Sequence, residues 1–427
     1  MKFKLSLKYL KEAEKYIPLG AQTFSKSKLV YPKNFSPFFI SKGKGSLIWD
    51  VDGNKFIDLV NGLLPIILGY QNSQVDNAIK KQLKKGITFS LSSPLEIKLS
   101  KLLCDIIPSA EMVRFAKNGS DATSACIRLA RAHTKKDYII CCGYHGWQDW
   151  YIGTTTRSIG VPKVVKNLTL KVKYNDIDAI KKILKKYRGK IAAMIMEPSN
   201  FEAPNKGYFK ELKSILKKNN ILLIFDEICT GFRMSIGGAQ KFFNITPDLS
   251  AFGKAMGNGM PISAIVGKKK IMNNLEKVFF STTFSGETLS IVAAIETINF
   301  IKRKQVIKNI WKKGNYLKNA IKELIEKYNL QKTIDINGYA PWTSIQFTEK
   351  KKDENSYIKT LFISEMLKNG VLINSTNNIS YALSNLQLKK VINAYSQSFK
   401  IIKKYKINKK KNKSLDNNKV EPVFKIR

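Results

Sequence analysis

Between about residues 100 and 285, short uninterrupted apolar runs alternate with amphipathic stretches. The runs 138–142, 191–196 and 221–225 carry almost no polar residue on either alternating face, which predicts strands of a sheet buried on both sides. Residues 94–106, 119–133, 176–187 and 207–219 instead repeat apolar residues at helical spacing; in the second the apolar positions are 122, 125, 126, 129 and 130. Such alternation predicts an α/β fold, a large domain with a mostly parallel sheet covered by helices. Helices at 287–304 and 306–328 and mixed elements to about 402 predict a smaller α/β C-terminal domain. Upstream, SLIWDVDGNKFIDLV (46–60) sets two β-rich runs around Asp52-Gly53, which predicts a hairpin with a type I′ turn. The expected organisation is an N-terminal wrapping segment (1–50), a large domain (51–290), a small domain (291–402) and a basic tail (403–427). Residues 403–419 are poor in apolar side chains and are expected to be mobile. The closing EPVFKIR regains apolar character and is expected to dock back.

Charge changes this picture less than its size suggests. Lys and Arg number 74 against 32 Asp and Glu, a net charge of +42, which would ordinarily point to nucleic acid or an anionic membrane. Only eight of the basic residues are Arg, the preferred residue for bidentate phosphate and base contacts, and the lysines are spread over the whole chain. A solvated lysine-rich surface is the reading adopted, with neither nucleic acid nor membrane as partner. The first ten residues hold no signal-peptide apolar core, and no run of 18 apolar residues occurs. The five cysteines (104, 126, 141, 142 and 229) are odd in number and lack metal-ligand spacing; with only two histidines, no metal site is expected. They read as reduced core residues of a cytoplasmic protein.

Four features can carry chemistry. The run 221–225 ends in Asp226-Glu227, and ligands of open α/β sheets sit at the carboxyl ends of strands. Asp226 is thus either a carboxylate delivered to a cleft or a cap for a following helix. Lys254 stands among small and apolar residues in SAFGKAMGNGMP (250–261). Desolvation there is expected to weaken its hold on a proton and make it an amine nucleophile. Lys117-Asn118-Gly119-Ser120-Asp121 opens a helix whose free N–H groups suit an anion. Gly143-Tyr144-His145-Gly146-Trp147 follows another strand, where Tyr144 could stack on a flat ring or simply pack. A carboxylate, an isolated lysine, an anion-binding helix start and an aromatic together suit pyridoxal 5′-phosphate.

At these residues the chain resembles the class III aminotransferases, the subgroup that includes glutamate-1-semialdehyde 2,1-aminomutase. The matching stretches are WDVDGNKFIDLV, NGSDATSACIRLARAHT, YHG, MEP, LLIFDEICTGFR, PDLSAFGKAMGNGMPISAIVG and TTFSG, in order along nearly the whole chain. The resemblance implies fold type I of the pyridoxal-phosphate enzymes and a homodimer with shared active sites. It implies Lys254 as the Schiff-base lysine and Asp226 as partner of the pyridinium nitrogen. Gly119 and Ser120 match the phosphate turn, Tyr144 the stacked aromatic, and Ile228 the apolar residue behind the ring. Thr283 matches a threonine reaching the phosphate from the neighbouring subunit, and Glu197 an acid near the cofactor. Departures occur as well: Glu287-Thr288 stands where Asn-Pro is common, and no Arg lies between Arg303 and Arg427 to clamp an α-carboxylate. Lys26 is the nearest basic residue where the aminomutase carries a substrate-binding Arg, and Lys is no equivalent of a bidentate Arg. The expected activity is transfer of an amino group between an amino donor and a carbonyl compound, such as a keto sugar or surface-saccharide precursor. The alternative is the aminomutase reaction forming 5-aminolevulinate.

Overall fold

The computed structural model describes residues 1–421, and the chain divides into two compact units. One comprises residues 64–66 and 73–307 and contains a seven-stranded sheet. Its strands are β1 (Met112–Ala116), β2 (Tyr138–Cys142), β3 (Thr169–Lys171), β4 (Ile191–Met196), β5 (Leu222–Asp226), β6 (Leu249–Phe252) and β7 (Ser263–Gly267). Its longer helices are α1 (Ser73–Leu83), α2 (Pro94–Ile106), α3 (Gly119–Thr134), α4 (Ile177–Lys186), α5 (Tyr208–Lys218) and α6 (Thr288–Arg303). The strand order is β1-β7-β6-β5-β4-β2-β3; β7 is antiparallel to both neighbours and the pairs from β6 to β3 are parallel. All six residues of β4 are buried, as strands covered on both faces require. One apolar layer packs α3 on the sheet through Ala122, Ala125, Cys126, Leu129 and Ala130. The other packs α4 and α5 through Ile180, Leu184, Phe209, Leu212 and Leu216. Each large apolar side chain so buried contributes roughly 1.5–3 kcal/mol.

The parallel pairs set the strand ends level. Cys142 pairs with Met196, Met196 with Phe225, and Asp226 with Ala251. The residues that follow β2, β4, β5 and β6 therefore emerge side by side at one end of the sheet.

The second unit joins residues 1–63 and 67–72 to residues 308–421. These limits differ from the boundaries at 50/51 and 290/291 expected above, because the N-terminal hairpin is completed by a late strand. Ile57 and Asp58 pair in parallel with Val371 and Leu372, and the Asn378 N–H donates to the carbonyl of Leu59. The hairpin forms where the sequence sets it, strands Leu47–Asp50 and Lys55–Asp58 being antiparallel. Its turn is not type I′: Gly53 takes φ +83° but Asp52 does not take a positive φ. The Asp50 carboxylate organises the loop instead, accepting from the Asp52 and Asn54 N–H groups at 3.0 and 2.7 Å.

Residues 403–419 are not an unstructured stretch. A helix runs from Asn385 to Asn408, and a short one covers Lys413–Asp416. Lys411 and Lys419 both reach Asp353 and Asp416, while Leu415 and Val420 are buried. The tail thus orders through two apolar anchors and a shared set of ion pairs. The Glu421 N–H donates to the Leu29 carbonyl; the rest of EPVFKIR, expected to dock back, lies outside the described residues.

Candidate active site

Asp226 ends β5 and is 4% exposed. One carboxylate oxygen lies 2.8 Å from His145 Nδ1, and the other accepts from the Ile228 N–H at 3.1 Å. His145 is buried, its ring stacked on Trp150 with centroids 6.1 Å apart and planes within 17°. Its Nε2 has no hydrogen-bond partner. The helix-capping alternative for the acidic pair belongs to the next residue. Glu227 is fully buried and accepts from the Ala239 and Gln240 N–H groups, each at 2.8 Å, at the start of helix Gly238–Phe242. Two consecutive acids thus divide between the sheet end and the scaffold below it.

Lys254 follows β6 by two residues and has φ +41°, a left-handed conformation unusual for a side-chain-bearing residue and costing of order 1–3 kcal/mol. Its Nζ lies 2.8 Å from the Cys229 sulfur. Burial alone would lower its proton affinity, but Cys229, Glu197 and Asp226 around it more than offset that, and the amine is held above its ordinary value. Desolvation therefore does not by itself release the proton, contrary to the expectation from its neighbours in sequence; the buried acids decide the outcome.

Glu197 follows β4 and accepts from the Tyr144 N–H at 3.0 Å. Burial, reinforced by the Asp226 charge, pushes its carboxyl up to about 7. Tyr144 stands after β2 with its ring edge-on to Tyr151, centroids 5.6 Å apart, and remains 45% exposed. Burial raises its phenol and the Lys254 charge opposes the shift, which places the two groups in one electrostatic neighbourhood.

The start of α3 borders the same ground. Asn118 and Asp121 close a capping box around it, leaving the first N–H groups, those of Gly119 and Ser120, without intrahelical acceptors. Ile228 packs beside Gly119, where an added Cβ would approach its Cγ2 to 3.1 Å. The Ser120 hydroxyl accepts from the Trp147 N–H at 3.3 Å. Gly146, at φ +103°, lets the two segments approach so closely that a Cβ there would fall 2.2 Å from that hydroxyl.

One end of the sheet thus brings together Gly119, Ser120, Tyr144, Glu197, Asp226, Ile228 and Lys254. Thr283 does not join them within this chain; it is exposed on the segment before α6. Lys26 is exposed in the turn Phe24–Lys26 of the other unit. Glu287 caps α6 and forms a 2.8 Å ion pair with Lys117, next to the α3 start. Arg233, in the TGFR stretch, is fully buried and donates to the Leu64 carbonyl at 3.0 Å. Sequence reasoning missed two participants. His145 lies within the quoted YHG, and its pairing with Asp226 spans 81 positions that only the strand register aligns. Cys229 reads as a core cysteine but faces the Lys254 amine.

Comparison with known proteins identifies the family of the chain. Residues 30–405 match the family model described as aminotransferase class-III. The chain is 35% identical over 417 residues to the 3-aminobutyryl-CoA aminotransferase of Cloacimonas acidaminovorans, covering 95% of this chain and 99% of that protein. It is 37% identical over 400 residues to the glutamate-1-semialdehyde 2,1-aminomutase of Persephonella marina, covering 87% and 92% respectively. Among solved structures, the FumI protein of Sphingopyxis sp. MTA144, with pyridoxal phosphate in place, superposes with a TM-score of 0.87 at 26% identity, covering 94% of this chain and 97% of that one. The residues present fit that cofactor: an amine at Lys254, a hydrogen-bonded acid at Asp226, apolar and aromatic walls at Ile228 and Tyr144, and a glycine-held cradle at an α-helix start.

Proposed function

Because the chain belongs to the class III aminotransferases, enzymes dependent on pyridoxal phosphate, we propose that it moves an amino group between an amine donor and a carbonyl acceptor at the β5–β6 end of its large sheet. The observation that carries this is the convergence of the Lys254 amine with the His145-braced Asp226 carboxylate in one buried site.

The roles follow from the chemistry of each group. Lys254 is the residue that would carry the cofactor, and its Nζ, when free, would move a proton to and from the reacting carbon. Positioned transfer of this kind contributes roughly 10²–10⁴-fold. Asp226 would face the ring nitrogen and hold its proton by charge. When bound, the cofactor supplies the electron sink that stabilises the carbanion at the substrate carbon. Tyr144 and Ile228 would flank the ring, and the Gly119 and Ser120 N–H groups would take the phosphate. Glu197 adds a second acid beside Asp226. Borohydride trapping after addition of pyridoxal phosphate should label Lys254. Labelling of a different lysine, or an unchanged label in Lys254→Ala, would overturn the assignment.

A homodimer is part of the proposal. Ile87, Phe89, Leu91, Phe279 and Phe284 leave a large apolar surface in solvent, Leu91 and Phe279 being 84% and 82% exposed. Their segments are neighbours, since Ser92, Glu96, Ser281, Thr282 and Ser285 line one groove. A patch of this kind marks an interaction surface, and a second copy seated there would bring Thr283 to the partner's phosphate site. Thr283→Ala should then weaken cofactor binding in the dimer; unchanged affinity would remove that contact. The five free cysteines suit a reducing compartment, so we place the protein in the cytoplasm.

The substrate separates two readings. The relatives named glutamate-1-semialdehyde 2,1-aminomutase favour an intramolecular exchange yielding 5-aminolevulinate. The missing arginine clamp, with only Lys26 in place of a bidentate partner, favours a transaminase acting on a carbonyl compound such as a keto sugar or surface-saccharide precursor. Turnover of glutamate-1-semialdehyde without an added amino donor would decide for the aminomutase.

A further inference from the structure

Five cysteines occur in the chain, and they are not chemically alike. Cys126, Cys141 and Cys142 are at most 3% exposed, and burial pushes the thiols of Cys141 and Cys142 up to about 12. Cys104 is half-buried, with burial and Asp105 raising its thiol. Cys229 has a cationic amine hydrogen-bonded to its sulfur, the Lys254 Nζ at 2.8 Å, and its residue is half-buried rather than closed off. Burial holds this thiol above its ordinary value, and Lys254 opposes that shift, without reversing it, both as a charge and as a hydrogen-bond donor. The form of this couple that reacts with oxidants is the thiolate beside the ammonium, and the 2.8 Å contact puts the amine where it assists that form.

We propose that Cys229 and Lys254 form a peroxide-driven covalent lock, a direct sulfur–nitrogen bond that withdraws the amine from cofactor binding. In the first step the Cys229 thiolate attacks one oxygen of hydrogen peroxide and the O–O bond breaks. The Lys254 ammonium gives its proton to the departing hydroxide, so water leaves and a sulfenic acid faces a neutral amine. In the second step the Nζ lone pair attacks the sulfenic sulfur, the S–O bond breaks, and the hydroxyl leaves as water with a proton from the nitrogen. The sum is one thiol, one amine and one peroxide giving one S–N bond and two waters; sulfur loses two electrons and peroxide gains them. A thiol reductant reverses the bond by exchange at sulfur. Beyond the peroxide, neither step needs a partner outside the pair, because the ammonium that assists the first becomes the nucleophile of the second.

The bond itself depends only on the observed proximity, whereas its consequence for cofactor rests on the assignment of Lys254 made above. Cofactor-free full-length protein is treated with hydrogen peroxide, digested without reductant and mapped by mass spectrometry. The expected product joins the peptides of Cys229 and Lys254 with a loss of two hydrogens, is absent in Cys229→Ser, and disappears with dithiothreitol. Lys254→Ala should give no cross-link and should oxidise at residue 229 more slowly than the unaltered protein, any sulfenic acid formed there remaining open to dimedone. Oxidation at residue 229 with no cross-link in the unaltered protein, or oxidation confined to other cysteines, overturns the proposal. Preloading with pyridoxal phosphate should suppress the cross-link several-fold, and the cross-linked chain should not develop the cofactor's absorbance until reduced. A cross-link that forms despite bound cofactor upholds the bond and counts against Lys254 as the cofactor's attachment, so the two failures are distinguishable.

Discussion

His145 Nδ1 and Asp226 Oδ2 lie 2.8 Å apart with both residues almost fully buried, and the histidine ring is itself fixed against Trp150. Asp226 is therefore aimed from two sides, by an imidazole and by the Ile228 N–H. A hydrogen bond to a charged group contributes about 1.5–3 kcal/mol, which is roughly ten- to a hundredfold in rate. His145→Ala is expected to lower turnover by that factor, and His145→Asn, which keeps a donor, by less. Asp226→Asn should cost roughly 10²-fold or more, as loss of a preorganised charge does. Equal turnover of His145→Ala and the unaltered protein would show that Asp226 needs no brace.

Gly146 tests the phosphate cradle. A side chain there must both hold φ +103° and displace the Ser120 hydroxyl, since the new Cβ would lie 2.2 Å from it. Gly146→Ala is expected to lower stability by about 1–3 kcal/mol and to weaken pyridoxal-phosphate binding beyond that of a control such as Gly189→Ala, whose Cβ would meet nothing although its φ is also positive. Calorimetry and titration with the cofactor separate the two effects.

Glu287 carries both a helix cap and an ion pair. It accepts from the Leu289 and Ser290 N–H groups and pairs with Lys117, and the Lys117 hydrogen bond holds its carboxyl below the usual range even though burial opposes that. A depressed carboxyl contributes stability above its unfolded value and loses it as pH falls through the folded one. Glu287→Ala should cost about 1–2 kcal/mol at neutral pH, and the difference from the unaltered protein should vanish in acid. Denaturant melts at neutral and acid pH test both halves.

Glu197 has the opposite sign. With its carboxyl pushed up to about 7, the folded cofactor-free chain binds the proton more tightly than the unfolded chain does. The stability it contributes is complete below its unfolded value and is lost as pH rises through about 7. Glu197→Gln should remove this slope, so that the variant gains on the unaltered cofactor-free protein by roughly 3 kcal/mol between acid and mildly alkaline conditions. Parallel melting curves for the two proteins across that range would exclude the protonated acid.

Much of the fold is written locally, and the residues that are not legible share a cause. The strands 138–142 and 191–196 and the helix 94–106 fall where the pattern sets them. Uninterrupted apolar runs allow one burial, and Ser93, Pro94 and Glu96 start the helix by capping geometry. The hairpin at Gly53 is legible too, but its turn type is not, because the Asp50 side chain rather than Asp52 shapes the loop. The ordered tail escapes notice since its acids, Asp353 and Asp416, lie in different helices. Within the site, Lys254 and Asp226 stand out by their surroundings in sequence. The brace at His145 and the thiol at Cys229 depend on which strand lies beside which, a relation of register between distant segments.

The reversed strand β7 has a further consequence for what this scaffold can become. Because β7 runs back from the site, the connection 253–262 is stapled at both ends. Ala264 pairs with Phe252, Ser263 pairs with Ala116, and the Ser263 hydroxyl donates to the Asn118 carbonyl. Lengthening the connection by a single residue could not be absorbed by sliding β7, since a one-residue slip would turn Ala264, Ile265 and Val266 onto the wrong faces between two neighbours at once. The reach of residue 254 is thereby tied to the position of the α3 start. New substrates have to be accommodated by segments that hang free of this clasp, leaving the spacing between amine and anion cradle as the dimension that cannot drift.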